Sequence, residues 1–93
     1  MRFPKWALSD DKNKVKYLIT VAALDVDPSA SITELAKKAD LPYGTLVWAF
    51  NNSVSKKVAE KICNAAPESG IKPHWLMNPE WIQIDAESGE IIA

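Results

Sequence analysis

The side chains able to do covalent chemistry are few, and their spacing matches no reactive constellation. Cys63 and His74 are the single cysteine and the single histidine, eleven residues apart. One thiol forms no internal disulfide, and one cysteine with one histidine falls short of a structural zinc set. Cys63 shares an apolar helical stripe with Val58, Ala59 and Ile62, which reads as core packing rather than as a nucleophile. His74 follows Pro73 with no serine, cysteine or carboxylate at a relay spacing, so it reads as a loop or surface residue. With three glycines in the chain, no phosphate-cradling glycine loop is visible either. The expectation is a protein that is not an enzyme and that uses neither metal nor cofactor.

Binding chemistry is better represented. Residues 32–51 read ITELAKKADLPYGTLVWAFN, and their apolar pattern turns Leu35, Ala36, Ala39, Leu41, Leu46, Ala49 and Phe50 inward. Helix geometry then faces Tyr43, Gly44, Val47, Trp48 and Asn51 outward along the second half of the segment. Two short helices packed this closely need a small side chain at their crossing, and Ala36 supplies it. The arrangement is that of a helix-turn-helix with its reading helix from Pro42 to Asn51.

Charge is distributed to match. The chain carries a formal charge of −1, a poor starting point for binding phosphate through counterion release. Residues 1–66, however, hold ten Lys and Arg against seven acids, and residues 67–93 hold one against five. A mildly basic helical part is joined to an acidic tail. Lys37 and Lys38 precede the reading helix, Lys56 and Lys57 follow it, and Arg2, Lys5, Lys12, Lys14 and Lys16 could flank the same surface.

The elements that must hold these residues can be outlined from periodicity and caps. Val15, Leu18, Ile19, Ala22 and Ala23 predict an amphipathic helix between Asp10 and Asp25, with Ser9 as its cap. Ser31-Ile32-Thr33-Glu34 is a capping box opening a second helix that runs to Ala39. Pro42 suits the first turn of a third helix, and Ser53 or Ser55 can cap a fourth from Lys56 to Ala66. Trp75 and Leu76 belong to a short helical turn covering the core. Gly89 provides the turn of a hairpin between Trp81-Ile82-Gln83-Ile84 and Glu90-Ile91-Ile92. The predicted class is all-α: a helix-turn-helix domain of four to five helices over residues 1–81, then a short C-terminal β-hairpin or strand over 82–93. The Glu90 to Ile92 edge is the candidate dimerisation element.

No apolar run reaches the roughly 20 residues that span a bilayer, and Met1-Arg2-Phe3-Pro4-Lys5-Trp6 lacks the apolar stretch of a secretory signal. A cytoplasmic protein without a membrane partner is expected.

On these residues, the stretch from Asp10 to Ala66 resembles the lambda-repressor-like family of helix-turn-helix regulators. GTLVWAFNN, with its Phe-Asn ending, is similar to a repressor recognition helix, and the organisation from Pro42 through KPHWLMNPEW is less specifically similar to the Ner-like phage regulators. The resemblance implies a phage or prophage transcriptional regulator that binds duplex DNA as a homodimer, with the third helix in the major groove. It implies base-edge roles for Tyr43, Gly44 and Val47, a base or sugar contact for Trp48, and phosphate contacts for Asn51 and Asn52. Thr33, Lys37, Lys38, Thr45 and Lys56 complete the DNA-binding set. The chain departs from the family in having Asp40 where glycine is usual in the turn. Its reading face also lacks the Arg, Gln or Asn side chains of bidentate base readout, Asn51 excepted, which leaves specificity to the Tyr43 hydroxyl and to apolar contact with thymine methyls. A second function fits the same face: a protein-interaction module, antitoxin-like or anti-repressor, docking through Tyr43, Val47 and Trp48. Trp48 also reads as a core or dimer-interface aromatic, and the lysines as a solvated surface.

Overall fold

Helix α1 (Asp11–Val26) starts at Asp10, whose carboxylate accepts from the Asn13 amide at 2.8 Å in the computed structural model, which describes residues 2–92. Ser9 is not the cap. Its hydroxyl donates to the Trp6 carbonyl and accepts from the Asn13 side chain, which ties the 3-10 turn Lys5–Leu8 to the helix start. The expected period buries Val15, Leu18, Ile19, Ala22 and Ala23 on one face, and each of the other helices packs against α1.

Beyond α1 the chain turns through Asp27, whose carboxylate accepts from the Ser29 hydroxyl and amide. The Ser29 hydroxyl holds the Asp27 carboxyl below its ordinary range. Ala30 then takes a φ of 57°, a left-handed conformation that its Cβ disfavours. Helix α2 (Ile32–Ala39) follows, with the Ser31 hydroxyl accepting from the Glu34 amide at 3.3 Å. Only this half of the capping box is seen, because the Glu34 carboxylate pairs forward with Lys37 at 3.6 Å.

Asp40 closes α2 in the left-handed region, at φ 57° and ψ 49°. Its amide donates to the Lys37 carbonyl at 3.2 Å and the Leu41 amide to the Ala36 carbonyl at 2.9 Å. This double closure normally uses glycine, and aspartate is among the few other residues that tolerate the dihedrals. Pro42 lies just outside helix α3 (Tyr43–Asn51), which buries Leu46 and Ala49. Helix α4 (Lys56–Ala65) is capped by Ser55, not Ser53, and buries Ala59, Ile62 and Ala65. Helix α5 (Pro73–Met77) buries Leu76 and half-buries Trp75 against the core.

The tail differs from expectation. No strand forms among the described residues, and the hairpin reduces to one antiparallel bridge, Ile84 with Ile91, flanked by Asp85 amide to Glu90 carbonyl and Ile92 amide to Gln83 carbonyl, each 2.8 Å. The Asp85 carboxylate accepts from the Glu87 and Ser88 amides, which holds the turn between the two bridged residues. The outer edge of Glu90 is already bridged by Arg2, and the Phe3 amide donates to the Gly89 carbonyl at 2.7 Å. The edge expected to meet a second copy is therefore occupied at Glu90 by the chain's own N-terminal segment. Among the described residues no helix is long and apolar enough to cross a membrane.

The strain at Ala30 is directly testable. Ala30→Gly relieves a Cβ conflict worth about 1 kcal/mol, so thermal melting should move upward by roughly 4–8 °C for a domain of this size. A lower melting temperature would show that Ala30 is not left-handed in solution.

Candidate nucleic-acid interface

Burying Leu46 and Ala49 commits one side of α3 to the core and forces the opposite side out. Tyr43 is 57% exposed and Trp48 59% exposed, with Gly44 and Thr45 exposed between them and Val47 half-buried at the edge of the face. Trp48 is thus not a core aromatic. No Lys, Arg, Asp or Glu occurs in α3. The face offers hydroxyls, methyls, an indole and a bare patch of backbone at Gly44, where an added Cβ would meet nothing within 4 Å.

Asn51 and Asn52 stand at the C-terminal end of this face, both exposed. Their side-chain amides turn back on the helix: Asn51 Nδ2 donates to the Val47 carbonyl at 3.0 Å and Asn52 Nδ2 to the Trp48 carbonyl at 3.1 Å. The Trp48 carbonyl is one of the last four of the helix, which have no donor within it. The two bonds commit one amide proton of each residue and leave its second proton and its Oδ1 free for an outside partner.

The expected cations lie outside α3. Lys37 and Lys38 are exposed on the last turn of α2, and Thr33 is exposed on its first. Lys37 shares its charge with Glu34 across an exposed pair, which contributes little to stability. Lys56 and Lys57 are exposed on the first turn of α4. Across residues 37–61 five lysines face two acids, Asp40 and Glu60.

Lys61 and Lys16 are tied to this region through contacts that sequence spacing could not reveal. Lys61 reaches from α4 to the carbonyl of Asp40 at 3.1 Å, fastening the turn before α3. Lys16 lies 5.9 Å from the Phe50 ring centroid, in cation–π range at the inner flank of α3. Two other N-terminal cations are engaged elsewhere, Arg2 with Glu90 at 3.3 Å and Lys14 with Asp11 at 3.1 Å.

Cys63 is half-buried, and burial pushes its thiol up to about 11. The described residues contain no group of three or more His, Cys, Asp or Glu placed to hold a metal ion. No family model matches the chain, and no curated protein or solved structure matches it.

The raised Cys63 value has a kinetic consequence. At pH 8 the thiolate fraction in the folded protein is about 100-fold below that of an ordinary thiol, since each pH unit is tenfold. Iodoacetamide should therefore alkylate the native protein far more slowly than the urea-unfolded chain. Because the folded value is the higher one, the stabilising effect of the protonated thiol is full below the unfolded value near 9 and fades as pH rises towards 11. Equal labelling rates in the two states would refute the buried-thiol assignment.

Proposed function

We propose that this chain is a sequence-specific, duplex-DNA-binding transcriptional regulator of the phage or prophage type, a helix-turn-helix protein whose α2–turn–α3 pair sets α3 in the major groove. The observation that carries the reading is the exposed, uncharged outer face of α3, set in a 37–61 segment with five lysines and two acids. Phosphate attraction comes from charges flanking the reading helix, while shape and short-range contacts come from the helix itself. Tyr43, Gly44, Thr45, Val47 and Trp48 face base edges. Thr33, Lys37, Lys38, Lys56, Lys57 and the amides of Asn51 and Asn52 take phosphates. Regulation follows from occupancy of the site, and a homodimer would set two α3 helices about 34 Å apart along the duplex.

A second reading, an antitoxin-like or anti-repressor interaction module, draws support from the same exposure of Tyr43 and Trp48 on a helix without charges. Salt separates the two. DNA affinity falls steeply with ionic strength, whereas an apolar protein interface does not weaken in this way.

Selection of duplexes from a random pool at low salt should enrich one motif. Binding to that motif should then show a log–log salt slope that flattens by about 1.8 when Lys56 and Lys57 are both replaced by alanine. Trp48→Ala should instead lower affinity for the motif while leaving the slope unchanged. An unselective pool, or a slope indifferent to both lysines, would remove the basis of the proposal.

A further inference from the structure

The C-terminal tail has an outer face that the rest of the domain leaves uncovered. Ile82 is buried and Ile84 and Ile91 are half-buried, so extended-chain alternation turns Gln83, Asp85, Glu90 and Ile92 away from the core, and all four are exposed. The Ile92 amide bonds to the Gln83 carbonyl, and Trp81, two residues before Gln83, holds the diagonal position from which an aromatic side chain can reach a cross-strand neighbour. Trp81 is 68% exposed and Ile92 67%. Around them the charge is of one sign: residues 73–93 hold Glu80, Asp85, Glu87 and Glu90, and no Lys or Arg. Arg2 offsets Glu90 alone.

Charge excludes one occupant of this face and selects another. The same face of a second copy would set Glu80, Asp85 and Glu87 against their own mates, and like charges brought together across an interface repel. The complement is a surface of exposed apolar groups flanked by cations. This chain carries such a surface: Tyr43 and Trp48 stand on the uncharged outer side of α3, between Lys37 and Lys38 of α2 and Lys56 and Lys57 of α4. We infer that the tail face of one copy, Trp81 and Ile92 with Glu80, Asp85 and Glu87, docks on the α3 face of a second copy. Apolar side chains meet at the centre of the contact and acids meet lysines at its rim. Each contact joins two different surfaces, so copies associate head to tail, closing as a ring or growing further. The association covers the side of α3 proposed to meet DNA, yet it requires no duplex and stands or falls apart from that reading.

Analytical ultracentrifugation of the full chain without DNA tests this. In low salt, at protein concentrations up to about 1 mM, where weak contacts form, the weight-average mass should rise from that of one chain to that of two or more. In about 0.5 M salt, where charges are screened within about 4 Å, it should fall back towards one chain. Trp81→Ala removes the tail face and Trp48→Ala the α3 face, so each variant alone should stay monomeric where the wild type associates. Mixed together, the two variants should recover a mass of two chains and no more, since one contact remains possible between them, and recovery also shows that both are folded. A wild type that is monomeric at every concentration overturns the inference and leaves the tail face to a basic partner of another kind. Association that survives either substitution, or that is unmoved by salt, overturns it as well. So does a mixture that stays monomeric while both variants melt within a few degrees of the wild type.

Discussion

The burial of one face of α1 is the constraint on which the rest of the structure depends. Val15, Leu18, Ile19, Ala22 and Ala23 are sealed from solvent, and α2, α3, α4 and α5 all pack on this helix. Burying aliphatic side chains is the dominant favourable contribution to folding. The two alanines keep the surface of α1 low, so neighbouring helices can approach closely. Helix α3, with only Leu46 and Ala49 fully buried, owes its orientation to this support more than to its own propensity. Short helices are marginal alone.

The second consequence is a separation of charge from shape. The α2–turn–α3 pair is closed at its turn by a left-handed aspartate, a double backbone closure and a lysine from α4. These contacts are short and local to the turn, and they hold α3 without using its outer face. That face is left to Tyr43, Gly44, Val47 and Trp48, while cations gather on the helices before and after it. Under the proposed DNA-binding reading, the flanking lysines attract phosphate while the neutral helix discriminates by contact.

The ends of the chain are joined to one another. Phe3 is buried, its ring 5.3 Å from that of Tyr17, and the Tyr17 hydroxyl donates to the Arg2 carbonyl at 3.0 Å. Gly89 permits this closure, since a Cβ there would lie 2.5 Å from the Phe3 carbonyl oxygen. Gly89 and Glu90 hold the N-terminal segment against α1 at the near end of the expected hairpin edge. An unpaired edge invites association with other chains, and the Arg2 bridge covers it at Glu90.

The sequence by itself determined the order of the helices, the buried stripe of α1, the Ser31 cap of α2 and the outward placement of Tyr43. All of these follow from periodicity and from side chains bonding within three or four residues, which are local in the chain. Only the tertiary structure decided that Asn51 and Asn52 bond to their own helix and that Lys61 and Lys16 reach the α3 region. It also decided that the C-terminal hairpin dwindles to one bridge while Arg2 and Phe3 take its outer edge. Each of these rests on a competition between partners, some of them distant in sequence, and such competition is settled only when packing brings those partners within hydrogen-bonding range. Gly44 lies between the two. Its place on the exposed face was legible from helical period, but that nothing in the monomer fills the space beside it could be seen only once every neighbour was in position.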